Sequence, residues 1–109
     1  MRHTLDTLPE REVFPGFHGR FVHSAGMTFA YWRVDPGAAV PEHDHPHEQV
    51  VNMLEGGLAL TVAGEEMRLG PGDVVVIPGG VRHAARGLAG GCRVLDVFSP
   101  VREAYRFAD

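Results

Sequence analysis

The chain has 109 residues, of which 44% are hydrophobic and 22% charged. That is an ordinary globular composition, and the length predicts a single domain over 1–109. A net charge of -4 argues against nucleic acid, which wants a basic face, and no apolar run approaches the roughly 18 residues needed to cross a membrane.

The N-terminal segment Met1-Arg2-His3-Thr4-Leu5-Asp6 lacks the apolar core of a secretory signal, so a cytoplasmic protein is expected. The first dozen residues look weakly structured. Glycine and proline then punctuate the chain at Pro15-Gly16, Pro36-Gly37, Gly56-Gly57, Gly70-Pro71-Gly72, Pro78-Gly79-Gly80 and Gly90-Gly91. Between them lie short apolar or β-branched runs: Met27 to Val34, Gln49 to Leu54, Leu58 to Val62, Val74 to Ile77, Val81 to Arg86 and Cys92 to Phe98. None is long enough for an average helix, and many short strands with regular turns predict a sandwich or barrel. Ala63-Gly64-Glu65-Glu66 reads as a hairpin tip. Arg102 to Phe107 has room for one helical turn. Cys92, the single cysteine, reads as a small buried hydrophobe and permits neither an internal disulfide nor a zinc ribbon.

Absences narrow the chemistry. All ten basic residues are arginines, so a Schiff-base nucleophile is missing. Serine occurs only at Ser24 and Ser99, neither of them in a nucleophile elbow. An enzyme built from this chain must work with histidine, carboxylate, arginine and a metal.

The run His43-Asp44-His45-Pro46-His47-Glu48-Gln49 places three of the seven histidines within five residues. On a strand, residues i and i+2 face the same way, so His43 and His45 are expected to project together, with Gln49 on the same parity unless Pro46 forms a bulge. His83 begins a later segment and can enter from a facing sheet. Neutral imidazoles and an oxygen suit one divalent first-row ion, Mn, Fe, Ni or Zn. Three imidazoles and one oxygen would leave a position open for water or substrate. The competing reading is a solvated polar turn of histidines around a proline. The glycine frame on either side weighs against it.

That frame carries a resemblance. Gly37-x5-His43-x-His45-x3-Gln49-x6-Gly56 resembles the first cupin motif, and Gly72-x5-Pro78-x-Gly80-x2-His83 resembles the second. The resemblance implies an all-β double-stranded β-helix, the cupin jelly-roll barrel, with a metal-site core over 37–98. It implies His43, His45, Gln49 and His83 as metal ligands. Two positions depart from the pattern: Gln49 stands where glutamate is usual, and Gly87 where asparagine often closes the second motif. A neutral Gln49 leaves the ion at full charge, which favours Lewis-acid work and anion binding. It also keeps Glu48 and His47 open as alternative ligands.

Asp96-Val97-Phe98-Ser99-Pro100-Val101-Arg102-Glu103, together with His-Pro-His-Glu-Gln, resembles the small KdgF-type pectin-degradation cupins. Their family activity is linearisation of unsaturated uronates, and the resemblance implies Asp96, Phe98 and Arg102 as active-site residues. Read on their own, Val94, Asp96 and Phe98 share one strand face. A lone aspartate among apolar neighbours is costly to bury without a partner. It is either a structural carboxylate paired to an arginine or a general acid/base whose pKa burial raises and a metal lowers. Arg102 either clamps a substrate carboxylate or pairs at the surface with Glu103 or Asp109. Phe98 either shapes a pocket or is plain core. Arg20 and His18 are further candidates for the barrel mouth.

The expected function is therefore a metal-dependent enzyme acting on a small carboxylate-bearing sugar derivative, with uronate linearisation as the leading reaction. An iron-dependent dioxygenase and a non-catalytic ligand sensor remain as alternatives. The partner is a small molecule, with no nucleic acid and no membrane, and the apolar outer strands point to a homodimer.

Overall fold

A computed structural model describes residues 1–107. Eight strands form, most of them rich in β-branched and aromatic residues. They are β1 Arg11–Phe14, β2 Phe17–His23, β3 Thr28–Val34, β4 Ala39–His43, β5 Glu48–Val62, β6 Glu65–Leu69, β7 Val74–Ile77 and β8 His83–Ser99. Short 3-10 turns lie at Leu5–Thr7 and Glu103–Tyr105.

Two long strands organise the barrel. β5 and β8 run antiparallel along most of their lengths. The first half of β5 pairs with β7 and its second half with β6. The last part of β8 pairs with β3, and its beginning pairs with β4. One layer therefore reads β1-β2-β3-β8-β5-β7 and the other β4-β8-β5-β6, with β5 and β8 crossing from layer to layer. This is the cupin jelly roll, a double-stranded β-helix whose layers face each other across one core.

The crossing points correct the expected turns. Gly56-Gly57 and Gly90-Gly91 do not reverse the chain; β5 and β8 continue through them. The β5–β8 register shifts between Met53 and Glu55 and between Gly56 and Leu58. Gly56 sits at φ 76, and a Cβ there would lie 2.2 Å from the Gly91 carbonyl oxygen. The glycines mark bulges that bend one strand between two layers. Two strands also precede Met27. β1 and β2 form a hairpin around Gly16, with Phe14 opposite Phe17. Their inward Phe17, Gly19 and Phe21 alternate with His18, Arg20 and Val22, so no continuous apolar run announces them. The hairpin at Ala63-Gly64 is as expected, with φ of 50 and 82 in its two central residues, the signs of a type I′ turn.

The core lies between the layers and includes Phe17, Trp32, Val51, Leu58, Leu60, Ile77 and Phe98. Full burial of such side chains contributes about 1.5–3 kcal/mol each. Cys92 is buried, and desolvation pushes its thiol up to about 11, so it behaves as a hydrophobe. No helix among the described residues is long and apolar enough to cross a membrane.

After β8 the chain turns back over one end of the barrel. The Arg102 backbone N–H donates to Thr28 Oγ1 at 2.9 Å. Thr28 Oγ1 also meets His23 Nδ1 at 2.8 Å, and His23 Nε2 lies 3.1 Å from the Tyr105 carbonyl oxygen. One tautomer satisfies all three contacts: the threonine hydroxyl donates to Nδ1, and Nε2–H donates to the carbonyl. These bonds fasten Arg102 and Tyr105 over the barrel mouth.

Candidate metal centre

The three histidines of the cluster come from three places. His43 ends β4 and lies directly opposite His83 at the start of β8, with ring centroids 4.3 Å apart. His45 is not on the strand. It lies in the loop after β4, so strand parity does not explain why it joins His43. The loop is held instead by the second glycine motif. Gly80 N–H donates to the His45 carbonyl at 2.8 Å. At Gly79 the loop packs so closely that a Cβ would lie 2.2 Å from the Pro46 carbonyl oxygen. The ligand atoms offered by His43, His45 and His83 all lie within 4.8 Å of one another.

The backbone selects the tautomer of each ring. His43 Nδ1 lies 2.9 Å from the Pro41 carbonyl oxygen, His45 Nδ1 3.0 Å from that of His47, and His83 Nδ1 2.8 Å from that of Val81. Each carbonyl demands a donor, so each Nδ1 carries the proton and each Nε2 keeps its lone pair. Burial lowers the His45 pKa to about 4, with the nearby Arg102 charge contributing, and burial also lowers that of His83. Both rings are therefore neutral at pH 7. His83 Nε2 is buried without a hydrogen-bond partner.

Gln49 completes the pattern. Its Oε1 lies 3.0 Å from His45 Nε2. With Nδ1 protonated, that contact joins two acceptors, an arrangement that a cation beside both would relieve and that, without one, the amide relieves by turning its NH2 toward the ring. The residues thus fit a divalent ion: three imidazole lone pairs, one of them orphaned, and an amide oxygen beside them. Oε1 on the His45 side puts the amide NH2 on the Asp96 side, where it favours the ionised carboxylate. A glutamate at this position would repel Asp96. Glu48 is exposed, and the His47 side chain lies outside the three-histidine cluster with its Nδ1 buried and unpartnered.

Beside the histidines is a cavity of about 50 Å³. Its polar wall is His43, Gln49, His83, Asp96, Arg102 and Tyr105, and its floor is apolar. Asp96 faces inward from β8 between Val94 and Phe98, as strand alternation predicts. It is not paired to an arginine; Trp32 Nε1–H donates to its Oδ2 at 3.1 Å. Although the residue as a whole keeps some exposure, Oδ1 is closed off from solvent without a well-aligned partner. Desolvation raises the Asp96 pKa to about 7, against the pull of Gln49, Trp32 and Arg102.

Arg102 turns inward rather than pairing with Glu103, which bonds Arg106; Asp109 lies outside the described residues. The Arg102 guanidinium lies over Phe98 at 5.0 Å and over Tyr105 at 4.4 Å. Phe98 is 1% exposed and packs edge-on against His45, so it is both core and cavity wall. His18 and Arg20 do not reach the mouth. They occupy the outer face of β2, where His18 meets Asp35 and Arg20 meets Leu5, Asp6 and Glu10. Their inward neighbours Phe17 and Gly19 take the core positions. Trp32 and Tyr105 are site residues that the sequence did not single out. The alternation of β3 marks Trp32 as inward, but nothing local separates it from ordinary core.

A jelly roll with inward imidazoles on β4, the following loop and β8 defines a metal-binding cupin. The chain belongs to the cupin family: residues 30–98 match the family described as Cupin domain. It is 32% identical over 97 residues to an uncharacterised protein of Streptomyces coelicolor, covering 88% of this chain and 92% of that one. Among solved structures it is similar to KdgF from a Halomonas species, with a TM-score of 0.91, 28% identity, and 97% and 98% of the two chains covered. An RmlC-like cupin from Shewanella frigidimarina gives a TM-score of 0.89 at 26% identity, covering 95% of this chain and 94% of that one.

Proposed function

We propose that this chain is a metal-dependent cupin enzyme that linearises unsaturated uronates, with His43, His45, Gln49 and His83 as ligands. The observation that carries this reading is an inward carboxyl, Asp96, in one cavity with the imidazole cluster and an inward guanidinium. The likeness to KdgF supports it. A bound divalent ion, from among Mn, Fe, Ni and Zn, would supply Lewis acidity toward a substrate carboxylate or hydroxyl.

The chain's own residues do the rest. Arg102 holds the substrate carboxylate. Asp96 takes the proton of the anomeric hydroxyl as the bond from C1 to the ring oxygen breaks, and the ring oxygen leaves with the electron pair as the enolate oxygen on C5. The same carboxyl returns that proton to C4 as the enolate becomes a ketone, so the net change is an isomerisation. Burial raises the Asp96 pKa and a bound dication would lower it, and a group held between these opposing pulls suits both accepting and donating a proton near neutral pH. A cavity of about 50 Å³ takes the carboxylate but not a whole pyranose ring, so the ring lies at the mouth, where His43 and Arg102 are partly exposed. Incubating the metal-loaded protein with unsaturated galacturonate should speed the loss of ring double-bond absorbance. A rate equal to the spontaneous one would overturn the reading.

We also propose that the chain is a homodimer through the outer face of its larger sheet. Val74 and Val76 on β7 are 59% and 57% exposed, and Val76 continues a row through Val50, Val97 and Phe29 across four strands. Such an apolar face is unusual on a monomer. Val76→Asp should convert a dimer to a monomer in sedimentation velocity at micromolar concentration; a monomeric wild type would refute the assignment.

A further inference from the structure

We infer that Tyr105 is a substrate-binding residue, its hydroxyl and the Arg102 guanidinium together forming a clamp that selects a carboxylate over its neutral ester. The inference rests on the uronate reading for the ligand's class, but its geometry is independent of any turnover.

Tyr105 is buried at 5% exposure, yet it lines the cavity. Its ring is wedged among Phe21, Trp32 and Phe98, and its carbonyl is tied to His23. The hydroxyl therefore has a fixed position. Arg102 Nη1–H donates to it at 3.2 Å, which uses the oxygen as an acceptor and leaves the O–H to donate. Among the described residues no acceptor is recorded for that proton. Burial pushes the phenol up to about 12, so it stays protonated throughout the working pH range.

Arg102 is free on its other side. Its guanidinium makes no ion pair with any described carboxylate, and its orientation is set by the Tyr105 and Phe98 rings beneath it. The guanidinium N–H groups not spent on Tyr105, together with the Tyr105 O–H, can donate to the same small cavity. A carboxylate has about four lone-pair sites and can accept the Tyr105 O–H together with a pair of guanidinium N–H groups. An ester offers fewer acceptors and no charge. The hydroxyl also orders the guanidinium, which lowers the entropy lost when an anion binds.

Glucuronate, which has no ring double bond to react, serves as the probe, and its methyl ester as the neutral control. Calorimetric titration of the metal-loaded wild type should show tighter binding of the acid than of the ester. Tyr105→Phe keeps the ring and should weaken the acid about tenfold, as expected for a lost hydrogen bond to a charged group. It should leave the ester and the metal content unchanged. An unchanged ratio of acid to ester affinity in the variant, or equal affinities in the wild type, would overturn the clamp. If the acid binds and Tyr105→Phe weakens it while unsaturated galacturonate is not turned over, the clamp stands and the uronate-linearising reading falls.

Discussion

Asp96→Asn is expected to lower the rate of uronate ring opening by about 10²–10⁴-fold, the range of a lost general acid/base, with metal content per chain unchanged. The isosteric amide keeps the bond from Trp32 Nε1, since its oxygen can take the place of Oδ2. It cannot carry the proton. Normal turnover in this variant would remove Asp96 from the reaction. The same substitution should alter stability in the metal-free protein. The folded Asp96 ionises at about 7, against an ordinary 3.8. Between those values the folded chain holds a proton that the unfolded chain has released, so stability falls as pH rises through that window. The loss approaches on the order of 4 kcal/mol once the group is ionised in both states. Asp96→Asn has no such group. The lowered pKa values of His45 and His83 act the other way in both proteins, so urea unfolding at pH 5 and pH 8 should show the variant gaining more stability, or losing less, toward pH 8 than wild type does. A bound dication would lower the pKa of Asp96 and shrink the effect, so metal must be removed first.

The parts of this site that were legible in the sequence share a cause: close backbone approach demands glycine, and glycine is visible. Gly79 and Gly80 fix the loop that carries His45, which is why the spacing of the second motif bears on residues of the first. Strand alternation likewise placed Asp96 inward beside Val94 and Phe98. At His45 the expected convergence with His43 holds but not through alternation, because β4 ends at His43 and the chain leaves the strand. Gly56-Gly57 and Gly90-Gly91 read as reversals because the positive φ that Gly56 and Gly91 adopt serves glycine bulges and hairpin turns alike, and only the pairing partner tells them apart. Arg102 was legible as a charge near a site but not as an inward one. Its direction depends on bonds to Thr28 and Tyr105, and the Thr28 bond spans 74 positions of chain. Tyr105 was missed for the same reason, since a tyrosine three residues after an arginine on a short turn has no signature of its own.

His83→Ala should abolish metal binding at micromolar concentration. Outer-shell partners alone are worth up to about 100-fold in metal affinity, and loss of an imidazole should exceed that. The metal-free protein should be disturbed much less. His83 Nε2 is buried without a partner, so its removal relieves a desolvation cost of about 1–3 kcal/mol, which offsets the space left behind and the unpaired Val81 carbonyl. Thermal unfolding with and without metal separates the two effects. In the wild type, saturation at 100 times Kd adds about 2.7 kcal/mol and raises Tm; in His83→Ala that rise should vanish while the metal-free Tm moves little. His47→Ala and Glu48→Gln test the rival ligand sets. The His47 side chain lies outside the cluster, though its carbonyl holds His45, and Glu48 faces solvent. Both variants should keep the metal-dependent rise. If His83→Ala kept it and either of these lost it, the ion would sit on the loop rather than in the barrel, and Asp96 and Arg102 would no longer face it.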